Sequence, residues 1–222
     1  KMQREWLDRL PFDIYSVNVH TGAKRLIGRS YRTAPKWSVN GKWAVMYDPI
    51  AQVWNKFDGA TGKVVNISDA IGYPMFVESY DKPAPAPAYG IAGWTADGNN
   101  VFLYDAYDWW KIDLTGERQP ECLTKGYGRK HGKSIRKMTS NIDKDVFQKD
   151  EKVIVSLWDK DTMDEGVYQL DMKGRLRKLM EGNYVYTIHR FSDNHEYCVW
   201  NRQNVSEFRA LMVSLLRTMQ PL

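Results

Sequence analysis

The sequence predicts an all-β chain, on the strength of two short phrases that recur along it. The first is a pair of strand-forming residues, often aromatic, then a polar residue, an apolar one, Asp or Asn, and a glycine-closed turn. It reads Ile14-Tyr15-Ser16-Val17-Asn18 with Gly22, Trp109-Trp110-Lys111-Ile112-Asp113 with Gly116, and Val167-Tyr168-Gln169-Leu170-Asp171 with Gly174. A fourth copy, Val53-Trp54-Asn55-Lys56-Phe57-Asp58 with Gly62, carries one extra residue. The second phrase is an aromatic, a polar turn with Asp or Asn, then an apolar strand. Trp37-Ser38-Val39-Asn40-Gly41-Lys42 leads into 43–47, and Trp94-Thr95-Ala96-Asp97-Gly98-Asn99 leads into 101–104. Weaker copies start at Phe147 and Phe191 and lead into 153–158 and 197–200.

Each element has a physical reason. Asn-Gly and Asp-Gly stand at the turns because a tight hairpin needs positive φ, which these residues adopt at least cost. The strands that follow are apolar at nearly every position, as expected of strands covered on both faces. Starts at Trp37, Trp94, Phe147 and Phe191 are spaced 57, 53 and 44 residues apart. Each unit reads strand, polar turn, buried strand, loop, aromatic strand, glycine turn and last strand, the last strands being 64–67, 121–123 and 176–179. Four antiparallel strands per stacked unit is the blade of a β-propeller. Only 4–10 and 207–216 carry a helical period, and both are short.

The phase of the pattern sets the organisation. Residues 13–28 read as the last two strands of a unit whose first two are missing. Residues 190–216 read as the first two or three strands of a unit that does not finish. The expectation is one domain, 1–222, a partial propeller arc of about four to five blade units. These are 1–30 (incomplete), 31–88, 89–142, 143–186 and 187–222 (incomplete), with long loops at 80–89 and 126–142. Residues 1–28 either close the last unit into a small ring or the remainder lies elsewhere. An open arc exposes blade faces and strand edges, through which oligomers could form. The start at Lys1, without Met or a signal-peptide pattern, reads as a processed chain or a piece of something longer.

Composition bounds the function classes. Hydrophobic residues at 43% and charged residues at 27% describe an ordinary globular chain, not a disordered one. No apolar run approaches the ~20 residues of a membrane span. Nine Trp and thirteen Tyr favour β structure, where large flat side chains fill the space between sheets. Net charge is +5. The densest basic stretch, Lys125, Arg129, Lys130, Lys133, Arg136 and Lys137, is glycine-rich with Tyr127 as its one interleaved aromatic, and reads as a solvated loop rather than a nucleic-acid site. Cys122 and Cys198 form no metal or redox spacing and read as buried thiols.

Candidate site residues are few. No catalytic or metal set stands out: there is no HExxH motif and no clustered His/Cys spacing, and no cofactor is implied. The acidic run 159–165 lacks the glycine and terminal glutamate of a calcium loop and reads as a hairpin. His20 and His195 read as turn residues and His189 as a packed or edge histidine. His131, between Lys130 and Lys133, is a candidate contact for an anionic ligand, although a solvated loop position explains it more simply. Asp105 and Asp108 suit a cation, but their repeat position says they shape a turn. Trp110 occupies the column of Tyr15 and Tyr168, which suggests packing between blades. That leaves Trp109 as a candidate stacking surface for a peptide or sugar. The run Pro83-Ala84-Pro85-Ala86-Pro87 reads as a stiff inter-blade connector.

One resemblance adds to this reading. The segments Tyr89-Gly90-Ile91-Ala92-Gly93-Trp94-Thr95 and Leu103-Tyr104-Asp105-Ala106-Tyr107-Asp108-Trp109-Trp110-Lys111-Ile112-Asp113 resemble the N-terminal propeller of bacterial prolyl oligopeptidase-family serine peptidases. This family includes the dipeptidyl peptidases and acylaminoacyl peptidases. Phe147–Glu151, Gly166–Asp171 and Asn201–Phe208 look like the same group, with the closest likeness to large secreted members from Bacteroidetes. The likeness runs from about residue 10 to residue 213. It implies a propeller lid over an α/β-hydrolase domain, filtering peptide substrates, in the periplasm or outside the cell. This chain carries no Gly-x-Ser-x-Gly elbow, so the catalytic half is absent and the chain alone is expected to hydrolyse nothing. It also has no adjacent Glu-Glu pair, so the dipeptidyl peptidases' grip on a free amino terminus maps to no residue here. The rival expectation is a stand-alone, TolB-like binding propeller with no hydrolase partner.

Overall fold

The structure, a computed structural model, describes residues 10–138, 145–194 and 196–219. The chain is all-β, built from antiparallel sheets stacked in chain order. The first sheet pairs β1 (Phe12–Val17) with β2 (Lys24–Tyr31). The second runs β3 (Lys36–Trp37), β4 (Trp43–Asp48), β5 (Val53–Asp58) and β6 (Val64–Asn66). The third holds β7 (Ile91–Thr95), β8 (Asn100–Tyr104), β9 (Trp109–Asp113) and β10 (Glu121–Cys122). After the short helix α1 (Tyr127–Lys130), the fourth runs β11 (Lys133–Lys137), β13 (Lys152–Asp159), β14 (Glu165–Asp171) and β15 (Leu176–Gly182). The two-residue β12 (Val146–Phe147) leaves that order and pairs parallel with β7 of the third sheet. The fifth sheet is β16 (Val185–Phe191), β17 (Tyr197–Gln203) and β18 (Ala210–Leu215).

Four buried clusters lie between consecutive sheets, which is the face-to-face packing of propeller blades. Ile14 and Tyr31 meet Ala44, Met46 and Phe57 between the first and second. Val45, Tyr47 and Trp54 meet Trp94, Val101 and Leu103 between the second and third. Phe102, Tyr104 and Trp109 meet Ile135, Val155 and Tyr168 between the third and fourth. Ile154 and Val167 meet Tyr186, Ile188 and Trp200 between the fourth and fifth. None of these clusters joins the first sheet to the last. Tyr15 and Val17 on β1 and Leu211 and Val213 on β18 are exposed at the two ends of the stack.

The recurring phrases are hydrogen-bonding devices. In the turn between β3 and β4, Ser38 donates its hydroxyl to Asn40 Oδ1 and accepts the Trp43 N–H, while Asn40 Oδ1 accepts the Lys42 N–H. Thr95 and Asp97 repeat the pattern between β7 and β8, and Ser192 and Asn194 repeat it between β16 and β17. The Asp or Asn ending each aromatic strand accepts N–H groups of the next turn: Asn18 from His20, Asp58 from Ala60, Asp113 from Thr115, Asp171 from Lys173. A third series, of which the sequence reading singled out only Asp105, sits after the buried strand. Asp48, Asp105, Asp159 and Asn204 each cap their own turn in the same way. Short polar side chains of this length bond the backbone two or three residues on, so the same small set of residue types recurs at these turns.

Two readings need correction. The basic stretch 126–142 is not a solvated loop over its described part. Gly126 (φ 71°) and Gly132 (φ 66°) bracket α1, and β11 follows as the first strand of the fourth sheet with Ser134 and Ile135 buried. Three of its charges are paired within the chain: Arg129 with Asp105, Lys133 with Glu181, and Lys137 with Asp145. The helical period within 207–216 is overridden by pairing of β18 with β17. The stretch 4–10 and His195 lie, apart from Leu10, outside the described residues. Burial pushes the Cys198 thiol up to about 11 and raises Cys122 as well, so both are protonated at neutral pH.

Two predictions follow from the turns. Gly98 has φ 68°, and a Cβ there would stand 2.7 Å from the Asn40 backbone nitrogen in the neighbouring sheet's turn; Gly41 has φ 69° but open space around it. Gly98→Ala should therefore cost about 2 kcal/mol or more and Gly41→Ala about 1 kcal/mol, read as urea-denaturation midpoints. The carboxyl pKa values of Asp97 (through the Thr95 hydroxyl), Asp58 (through the Thr61 N–H) and Asp159 (through the Thr162 N–H) are lowered from 3.8. The unfolded chain binds these protons more readily. The stabilisation is thus complete above the ordinary carboxyl range and lost as pH falls below about 4 through the lower folded values. The urea midpoint should drop over that window, and Asp97→Asn should flatten the drop.

Candidate functional site

Antiparallel order brings several segments to one end of the stack. The turns after β4, β8 and β13, and the segments entering β7 and β11, all lie there; Lys160 of the β13–β14 turn sits 4.2 Å over the Tyr107 ring of the β8–β9 turn. Two clefts open among these segments.

The first, of about 420 Å³, lies between the second and third sheets. Its floor is Val45 and Tyr47 of β4, Trp54 of β5 and Ile91 of β7. Tyr47 and Trp54 are cross-strand partners with rings 5.4 Å apart. One wall is the connection into β7, with Tyr80, Pro85, Pro87 and Ala88. This connection is pinned: Phe76 bridges Ala88, the Val77 N–H bonds the Pro87 carbonyl at 2.8 Å, and the Tyr47 hydroxyl donates to the Ala86 carbonyl at 3.1 Å. Burial, with the adjacent Asp48 carboxylate adding to it, drives the Tyr47 phenol far above its ordinary value, which fixes it as a donor. Proline needs no N–H partner and holds its φ, so a wall built this way keeps its shape. The lip is Arg32, Thr33 and Ala34 after β2, with Lys36 of β3. The lining holds two basic residues and no acid. The Trp54 indole N–H is buried without an acceptor.

The second cleft, of about 460 Å³, is lined by Tyr73, Asp105, Asp108, Trp110, Cys122, Gly126, Arg129 and Lys130. Its carboxylates are wholly buried and already engaged. Asp108 accepts the Thr124 hydroxyl at 2.6 Å and the Gly128 and Arg129 N–H groups at 2.9 and 3.0 Å. Asp105 accepts two N–H groups of its own turn, the Trp110 indole N–H at 3.1 Å and the Arg129 guanidinium at 3.0 Å. Arg129 is stacked 3.7 Å over the Tyr73 ring. The Arg136 guanidinium donates to the carbonyls of Ile135, Asp105 and Ala106. Asp105 shapes its turn, as its repeat position implied, and the cation beside it is a side chain of this chain, Arg129. Every carboxylate oxygen has a partner, so this cluster is a clamp joining the third sheet to the fourth.

The candidates named from sequence fall apart in space. Trp109 has no exposed surface; its indole N–H donates to the Ile135 carbonyl at 3.2 Å and its ring packs against Tyr104 and Phe147. His131 is exposed beyond α1, stacked on Tyr127 at 4.1 Å with Nδ1 2.8 Å from the Tyr127 carbonyl oxygen. Trp110, read as inter-blade packing, does pack against the cluster between the second and third sheets, and it also lines the second cleft. No group of His, Cys, Asp and Glu suited to a metal occurs among the described residues. Sequence reasoning missed Arg32, Lys36, Tyr47 and Trp54, which share no motif; the proline run was the one local signal pointing at this place.

No family model and no curated protein sequence matches the chain. Solved structures similar to it are β-propellers. TolB from Acinetobacter baumannii aligns at 15% identity over 93% of this chain and 46% of its own, with a TM-score of 0.47. The acylaminoacyl peptidase of Pyrococcus horikoshii aligns at 12% over 90% and 28%, with a TM-score of 0.42. The β-propeller domain of the Trilobed protease from Pyrococcus furiosus aligns at 11% over 94% and 77%, with a TM-score of 0.36. The chain thus spans under half the length of the TolB protein and of the acylaminoacyl peptidase.

The clamp yields a prediction. Asp108→Ala strands the Thr124 hydroxyl and two N–H groups in a buried site and should cost about 2–4 kcal/mol in urea denaturation. Hydrogen exchange should quicken first at Gly128 and Arg129.

Proposed function

We propose that this chain is a non-catalytic propeller segment that gates and selects peptides for a serine peptidase of the prolyl oligopeptidase kind, similar to the secreted Bacteroidetes members. In this reading its partner is an α/β-hydrolase domain, and it works in the periplasm or outside the cell. The observation that carries it is the first cleft: an aromatic floor and a pinned proline wall, at the end of the stack where the connecting segments gather. Apolar clefts of about 300–1,000 Å³ with a few polar groups are typical of small-ligand sites. The sequence likeness over residues 10–213 supplies the peptidase context, and a selecting rather than a catalytic role is in keeping with a sequence that carries no Gly-x-Ser-x-Gly elbow.

A stand-alone binding propeller uses the same cleft without a hydrolase. Two measurements test the proposal. Isothermal titration of doubly blocked apolar tripeptides should detect binding that Thr33→Trp, a substitution at the exposed lip, weakens at least about tenfold without moving the thermal midpoint. Peptidase assays of the chain should give no turnover. Turnover abolished by a serine-directed inhibitor, or peptide binding unaffected by Thr33→Trp, overturns it.

A further inference from the structure

We propose that the first cleft reads the carboxyl-terminal residue of a peptide, with the carboxylate at the Arg32–Lys36 lip and the apolar side chain over the Tyr47–Trp54 floor. This rests on the peptide-selecting reading and adds which end of the peptide is selected.

Charge is the first argument. Arg32 and Lys36 flank a lining without Asp or Glu, and neither is paired with an acid among the described residues. The nearby Asp48 directs Oδ1 to the N–H groups of Ile50 and Ala51 and does not line the cleft. Two cations at the mouth of an apolar hollow, facing no internal counter-charge, favour an anionic ligand group.

Comparison within the chain gives the second argument. Trp54 lies four residues before Asp58, as Trp109 lies four before Asp113. At Trp109 the next sheet supplies an acceptor, the Ile135 carbonyl of β11, and aromatic rings fill the space. At Trp54 the next sheet supplies none, and the indole N–H stays buried and unpartnered beside the cleft. Buried donors are nearly always satisfied, so an acceptor that reached this one on binding would relieve an uncompensated cost.

The third argument is the joint requirement. The site wants an anion, an apolar body and a hydrogen-bond acceptor within about 420 Å³. A carboxyl-terminal residue carries all three on or next to one Cα: the carboxylate, the side chain and the preceding carbonyl. An acidic side chain in mid-peptide supplies the charge but not the apolar body on the same residue.

The test uses isothermal titration of the 222-residue chain at low salt with three peptides: acetyl-Gly-Ala-Leu as the free acid, its carboxamide, and acetyl-Gly-Glu-Leu carboxamide. The free acid should bind about tenfold or more tighter than either carboxamide. In the double variant Arg32→Gln, Lys36→Gln the advantage of the free acid over its own carboxamide should disappear. Both side chains stand at the lip rather than in the core, and an unchanged thermal midpoint verifies that the variant folds. Equal affinity for acid and carboxamide overturns the carboxyl-terminal inference and leaves peptide selection standing. A glutamyl carboxamide matching the free acid also overturns it, in favour of acidic side chains. Failure of all three peptides to bind overturns both readings.

Discussion

Apolar side chains packed between consecutive sheets are the interaction on which every other feature rests, because each inner sheet must offer an apolar surface on both sides. Val101 and Leu103 of β8 belong to the cluster shared with the second sheet, while Phe102 and Tyr104 of the same strand belong to the cluster shared with the fourth. A strand serving two cores leaves no position for a polar face, and this is why its sequence lacks alternation. Among the described residues the first and last sheets are covered on one side only, and exposed apolar residues gather on β1 and β18.

Packing of this kind sets spacing but not register, so the hairpins need another device. Asp, Asn, Ser and Thr side chains close the turns by bonding N–H groups two or three residues away, and they do so at corresponding places in successive sheets. Neighbouring turns also meet: Asn40 donates to the Asp97 carbonyl across the gap between the second and third sheets at 2.9 Å. The close approach of Gly98 to Asn40 belongs to the same contact. The residues that shape each hairpin thereby also align one sheet on the next.

The two clefts share an end of the stack but differ in character. Between the third and fourth sheets, α1 and the Asp105–Asp108–Arg129 clamp close the structure with fully satisfied polar groups. Between the second and third, the chain instead makes a long excursion from β6 to β7, and its proline wall stands off the Tyr47–Trp54 floor. Restricted backbone geometry and three anchoring hydrogen bonds hold that wall in place, which leaves an aromatic surface and, among the described residues, one indole N–H without an acceptor and two cations without an acidic partner around one space.

How much of this was legible depended on range. The all-β class, the strand cores and the Asn-Gly and Asp-Gly turns were written locally, since apolar runs and positive-φ residues act within a few positions of themselves. Strands expected at 43–47, 101–104 and 153–158 correspond to Trp43–Asp48, Asn100–Tyr104 and Lys152–Asp159. The strand at Lys133–Lys137 was hidden because its lysines and Arg136 read as solvated charge. In the structure, salt bridges to Glu181 and Asp145 and the carbonyls of Asp105 and Ala106 offset those charges from outside the strand. Trp109 and Trp54 occupy the same place in their repeats, and nothing local distinguishes them. The sequence by itself determined that each would sit in an aromatic strand; only the tertiary structure decided that one would be sealed by the next sheet and the other would border a cleft, because the acceptor and the covering surface come from segments far away in the chain.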